Sequence, residues 1–134
     1  MEIIIGFPPN IDAIDAVFQT KQKKGIIYTW GNKIYNPSGG ELTSMLKAHE
    51  NVHYTRQTND VSKIEAWWDQ YLVDVEFRLR EELPAHRAEY VNFCQSHKDR
   101  NQRNLYLQAV AGRLSGPLYL NLISLSKAKQ ELLR

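Results

Sequence analysis

His49, Glu50 and His53 stand in the order H-E-x-x-H, and this spacing constrains the fold more than any other feature of the chain. Residues four apart on an α-helix lie one turn above each other on the same face, so two imidazoles placed this way converge on one point with Glu50 beside it. The flanking sequence supports a helix. Ser38-Gly-Gly-Glu41 has the spacing of a capping box, and Leu42, Met45, Leu46, His49, Val52 and His53 follow at helical intervals, which predicts a helix over roughly 41–57.

The convergence of two imidazoles and a carboxylate has a chemical reading. Two His side chains hold a zinc ion, zinc lowers the pKa of a bound water, and a carboxylate at hydrogen-bond distance takes the proton as that water attacks a carbonyl carbon. Cys94 is the only cysteine, which excludes an internal disulfide and a Cys-rich zinc cluster, so a metal must be held by His and carboxylate. A third ligand is available on a later segment, Glu82-Leu-Pro-Ala85-His86, which completes the two-His, one-Glu set of a hydrolytic zinc site. Glu81 is the competing choice, one residue earlier. The longer H-E-x-x-H-x-x-G-x-x-H pattern is excluded, because positions 56 and 59 are Arg and Asn.

Length and charge narrow the context. The 134 residues suffice for one domain, 1–134, with one core. Its 17 basic and 15 acidic residues are interspersed, giving +2 and no broad field for phosphates, which argues against nucleic acid as a partner. No apolar run approaches the roughly 20 residues that span a bilayer, and MEIIIGFPPN lacks the features of a signal peptide, so the expectation is a cytoplasmic protein without a membrane partner.

The remaining elements read as an α+β domain. Residues 2–7 predict a strand stopped by Pro8-Pro9, and Ile11 to Phe18 a helix with Asn10 as its cap. Residues 26–30 and 33–36 predict a hairpin around Gly31-Asn32. Ser62-Lys-Ile-Glu65 reads as a second capping box opening a mostly helical stretch over 62–97, in which Pro84 is expected to kink or break the helix. Asp99 caps a helix over 100–113, and Ser115-Gly-Pro117 opens a terminal one containing Leu118, Leu122, Leu125, Leu132 and Leu133.

On the H-E-x-x-H motif and Glu82, Ala85 and His86, the chain resembles the gluzincin metallopeptidases, whose third ligand is a helical Glu in a pattern like E-x-x-A-[DN]. His86 stands where that pattern has Asp or Asn. Tyr35-Asn-Pro-Ser-Gly39, Leu46 to His53, Arg56-Gln57, Trp67-Trp68, Tyr71-Leu72, Phe77-Arg-Leu79, Glu82, Arg87-Ala88 and Ser115 to Tyr119 extend the resemblance over most of the chain, to small zinc metallopeptidases encoded by phages and prophages. It implies a minimal zincin-like domain, in which a small N-terminal sheet with its hairpin packs on the H-E-x-x-H helix and a distal ligand helix, followed by C-terminal helices. It implies a peptide or protein substrate, paired along an edge strand at 26–30 or 33–36, and a setting in the bacterial host cytoplasm or on the virion.

The expected function is zinc-dependent peptide-bond hydrolysis, with Zn2+ on His49, His53 and Glu82 and with Glu50 as general base. His86, Tyr90 and Tyr119 are candidate oxyanion donors, among which the sequence does not choose. His86 is also a candidate orienting partner or alternative ligand. Trp67-Trp68 read as packing, His97 as a solvated residue, Cys94 as a small buried hydrophobe, and the arginines 78, 80, 87, 100, 103 and 113 as part of a mixed, solvated helix face. The competing function is a non-enzymatic phage-associated binding or structural protein that keeps zinc as a structural staple.

Overall fold

A computed structural model describes residues 1–134, folded as an α+β domain of six α-helices and a three-stranded mixed sheet. The strands are β1 (Glu2–Ile4), β2 (Tyr28–Trp30) and β3 (Lys33–Tyr35), and the helices are α1 (Ile11–Phe18), α2 (Ser44–Gln57), α3 (Val61–Val73), α4 (Val75–Ser96), α5 (Arg100–Leu114) and α6 (Leu125–Leu133). No helix is long and apolar enough to cross a membrane.

β3 occupies the centre of the sheet, parallel to β1 and antiparallel to β2. The hairpin follows the expectation. Gly31 at φ 58° makes its turn, and a Cβ there would stand 2.7 Å from Ile64 Cδ1 and 2.9 Å from Asn59 Oδ1, so any other residue is strained by the left-handed backbone and requires those side chains to move. The edge-strand expectation is corrected for 33–36, because β3 is paired on both sides. It is restricted for 26–30, because the Thr29 carbonyl on β2 already accepts from Gln57 Nε2 (3.2 Å) and Trp68 Nε1 (3.0 Å).

Several helix boundaries differ from the sequence reading. α2 starts at Ser44 with Thr43 as its cap, accepting from Leu46 N, and not at the Ser38–Glu41 box. α3 is capped by Asp60, whose carboxylate accepts from Ser62 N and Lys63 N. The expected break at Pro84 lies ten residues earlier. Asp74, in extended conformation, ends α3 and caps α4 by accepting from Phe77 N, while Pro84 sits inside a continuous α4. Asp99 caps α5 as expected. The terminal segment divides into a 3-10 turn over Pro117–Tyr119 and α6, which starts at Ser124's cap. Asn10 precedes α1 without a side-chain cap bond.

Two apolar clusters form the core. One joins Ile14, Tyr28, Ile64, Trp67, Trp68 and Tyr71 from α1, β2 and α3. The other joins Leu79 on α4 with Leu107, Val110, Ala111 and Leu114 on α5, Tyr119, and Ala128 and Leu132 on α6. α2 packs against α4 more extensively than any other pair of elements. That seam carries almost no apolar residue, for α2 buries His49, Glu50, His53 and Gln57, and α4 buries Glu81, Glu82, His86 and Glu89 beside Arg78, Leu79 and Ala85.

Burial of Arg78, Glu81, Glu82 and Glu89 overturns the mixed, solvated face at these positions of α4, whereas Arg80 on α4 and Arg100 on α5 are exposed as expected. Arg78 is buried and donates to the carbonyls of Tyr71 (3.0 Å), Leu72 (3.2 Å) and Leu118 (3.0 Å), with Phe18 and Tyr71 rings against its guanidinium. His97 is half-buried and stacked on Phe93, not simply solvated, and Cys94 is a half-buried free thiol.

Candidate metal centre

The helical spacing of α2 brings His49 and His53 onto the face that meets α4, and α4 brings Glu82 to the same point. His49 Nε2 lies 3.2 Å from His53 Nε2 and 3.1 Å from Glu82 Oε2, and His53 Nε2 lies 3.3 Å from Glu82 Oε1. Ligands bound at about 2.0–2.1 Å in a tetrahedral zinc site are about 3.4 Å apart. The three donors therefore stand at the separations a small divalent ion requires, and they are arranged to hold one. Burial alone favours the neutral acid, but His53, His49 and His86 around it hold the Glu82 carboxyl well below the usual carboxylate range. An ionised, desolvated carboxylate is a strong metal ligand.

A second layer holds these ligands in position. Glu89 Oε1 accepts from His49 Nδ1 at 3.1 Å, which directs Nε2 of that ring toward Glu82 and His53. Glu89 is itself fixed by Arg113 (2.5 Å) and Tyr106 (2.7 Å), and despite burial these donors and His49 bring its pKa down to about 2. Burial pulls His49 toward neutrality, yet its hydrogen bonds to Glu82 and Glu89 and the nearby charges outweigh it and hold its pKa at about 10. Tyr71 donates to Glu82 Oε1 at 2.5 Å, and burial, then the Glu82 charge, push its own pKa well up, so it stays a donor.

His49, His86 and Glu89 form another grouping whose donor atoms lie close together. It shares His49 with the first, and its carboxylate is already held by Arg113 and Tyr106, so it is better accounted for as the support of the first grouping than as a separate site.

Glu50 is buried beside the donors and accepts a short hydrogen bond from the Thr29 hydroxyl on β2. The hairpin thereby aims the carboxylate, and Gln57 clamps the hairpin onto α2 by accepting from Gly31 N at 2.8 Å and donating to the Thr29 carbonyl. His86 donates from Nδ1 to the Glu82 carbonyl at 2.8 Å, leaving Nε2 as its other ring atom. A cleft of about 460 Å³ opens over His49, Glu50, Glu82, His86, Arg113 and Tyr119.

The residues singled out in the sequence thus divide. His49, Glu50, His53, Glu82, His86 and Tyr119 come together. Tyr90 lies elsewhere on α4, beside a depression lined by Arg100, Arg103 and Leu107. Glu81 is held by Arg56 (2.6 and 2.9 Å) and Trp67 Nε1 (2.7 Å), which makes it a buried ion-pair partner and not part of the donor triangle. The sequence reading missed Glu89, Tyr71 and Thr29. Glu89 had a signal, since it follows Glu82 by seven residues, two helical turns on the same face. Tyr71 and Thr29 reach the site only through tertiary packing. Comparison of the chain with known protein families, curated proteins and solved structures finds no match.

Proposed function

We propose that the chain is a zinc-dependent peptidase of zincin-like design, with the ion on His49, His53 and Glu82 and with Glu50 as general base. The observation that carries this reading is the state of Glu50. Glu82 is engaged by the imidazoles, Glu89 by Arg113 and Glu81 by Arg56, whereas Glu50 has no ion-pair partner and only a neutral hydroxyl on its carboxylate. It is the carboxylate of the cleft that is free to take a proton.

Zinc bound at the triangle supplies Lewis acidity, which acidifies water and polarises a carbonyl. Glu50 removes the proton of the attacking water and returns it to the leaving amine. Thr29 holds the Glu50 carboxylate in its orientation, and Glu89 holds His49 in the tautomer that presents Nε2. Tyr119 lines the cleft, its hydroxyl has no hydrogen-bond partner within the chain, and it is kept protonated by burial and by the Glu82 charge, which suits it to donate to a developing oxyanion. His86 is the other cleft donor in this role. The substrate is a peptide or protein, and the proposed setting is the cytoplasm of a bacterial host carrying a phage or prophage.

Glu50→Gln in zinc-loaded protein tests the mechanism. The expected result is unchanged zinc content with peptide hydrolysis reduced by about 10²–10⁴-fold, the contribution of a positioned acid–base group. Equal hydrolysis by the variant contradicts the role.

A second reading is a metal clip in a non-enzymatic binding or structural protein. It is favoured by the burial of all three donors, each less than a tenth exposed, at the seam that joins α2 to α4. In that case zinc removal unfolds the chain, and no peptide is cleaved by the loaded protein.

A further inference from the structure

An apolar cavity of about 300 Å³ adjoins the metal cleft and has no part in the account above. Ile14 and Phe18 on α1, Ile26 and Tyr28 around the start of β2, and Trp68 on α3 form its walls. Ile27, Tyr71 and Leu118 line both this cavity and the cleft, so the two spaces adjoin across these side chains, among them the Tyr71 that donates to Glu82. Its volume is at the bottom of the range of roughly 300–1,000 Å³ typical of small-molecule sites, enough for one large side chain and too little for a cofactor.

The chemistry of the lining selects the occupant. The Tyr28 hydroxyl donates to Thr20 Oγ1 at 2.9 Å, so its proton is spent within the wall. The indole N–H of Trp68 is spent on the Thr29 carbonyl. Lys23 is the single charged residue of the lining, it is exposed, and it has no ion pair, so apart from the Thr20 and Tyr28 hydroxyls the buried part of the wall is apolar. Leu118, which lines both spaces, is 47% exposed, and Leu120 and Leu122 in the same segment are exposed as well. Apolar surface of this kind next to a polar catalytic floor is ordinarily covered by a ligand.

We infer that this cavity is a specificity pocket that takes a large apolar side chain, aromatic or branched aliphatic, of a peptide whose neighbouring backbone lies over His49, Glu50 and Glu82. The inference rests on the peptidase reading for the identity of the backbone, and on the cavity alone for the identity of the side chain. Basic side chains are disfavoured by Lys23, and small ones leave the cavity unfilled.

Two measurements on the full, zinc-loaded chain separate the claims. The first follows the methyl NMR signals of Ile14, Ile26 and Ile27 during titration with N-acetyl amides of Phe, Leu, Ala and Lys. The Phe and Leu amides are expected to shift these signals at concentrations at least tenfold lower than the Ala and Lys amides, and Ile26→Trp, which fills the half-buried rim, is expected to abolish the shifts while zinc content stays the same. Equal response to all four amides, or none to any, overturns the pocket. Ile26→Ala enlarges the cavity and checks the case where the Trp variant misfolds: it must keep the Phe response. The second measurement digests a mixed peptide library and reads the residues beside each cut. Enrichment of large apolar residues there, lost in Ile26→Trp, supports the inference, and cleavage indifferent to them overturns it. Selective binding of the Phe and Leu amides without any cleavage overturns the peptidase reading and leaves the pocket standing.

Discussion

Glu89 accepts from His49 Nδ1 at 3.1 Å, and through this one contact α4 sets the direction in which α2 presents His49 Nε2. The carboxylate is held from behind by Arg113 and Tyr106, so the imidazole is gripped by a rigid partner and not by a mobile surface group. Groups that orient a metal-bound His this way contribute typically 10–100-fold to metal affinity. Glu89→Ala is expected to weaken zinc binding by about that factor, measured by competition with a chromophoric chelator. Arg113→Ala, which loosens Glu89 without removing it, should weaken zinc binding less than Glu89→Ala does; an equal or larger loss contradicts the proposed order of support.

The two shifted groups of this contact set a pH window for the metal-free protein. His49 is raised from 6.5 to about 10, so its stabilising contribution is fully present below pH 6.5 and disappears as pH rises through 10. Glu89 is lowered from 4.5 to about 2, so its contribution is present above pH 4.5 and disappears as pH falls through 2. Metal-free protein should therefore be most stable between pH 4.5 and 6.5 and lose stability toward alkaline pH, as read from urea midpoints across the range. Zinc requires a neutral His49. Below pH 10, zinc uptake should release a proton, and affinity should rise with pH up to that point. Calorimetric titration in buffers of different ionisation enthalpy measures the proton directly.

Arg78 ties three parts of the cleft wall together, since its guanidinium donates to Tyr71 and Leu72 at the end of α3 and to Leu118 in the segment before α6. Removing a buried donor fork leaves those carbonyls without partners, at about 1–3 kcal/mol for each that stays dry. Arg78→Ala is expected to destabilise the chain by roughly 2–4 kcal/mol in urea denaturation. Arg78→Lys should recover little of it, because an ammonium does not reproduce the planar fork. Full recovery with Lys would show that the charge and not the fork is what the site needs.

The chemistry-bearing residues were legible in the sequence because helical periodicity alone places them. His49 and His53 share a helix face by their spacing, and Glu82 and His86 share another. The helix ends were less legible, for local reasons. Three of the expected boundaries relied on Ser or on Pro84, whereas Thr43, Asp60 and Asp74 provide the caps that form. An Asp in extended conformation between two helices ends one and starts the next, and no proline is needed to separate them. The polar interior along α4 was illegible because Arg78, Glu81, Glu82 and Glu89 have the composition of a solvated face. Their burial depends on partners 7 to 40 residues away, among them Tyr71, Arg56, His49 and Arg113. Periodicity marks which side of a helix a residue is on, but not what that side meets.

The most direct test of the account is the zinc content per chain, by elemental analysis, of protein purified without added metal, beside His49→Ala and Glu82→Ala. The account predicts about one zinc per wild-type chain, lost or strongly weakened in both variants, because each removes one corner of a three-donor triangle. A wild-type chain that carries no zinc and takes none up on titration would contradict it, and would leave the buried histidines and carboxylates as a polar core with no metal chemistry.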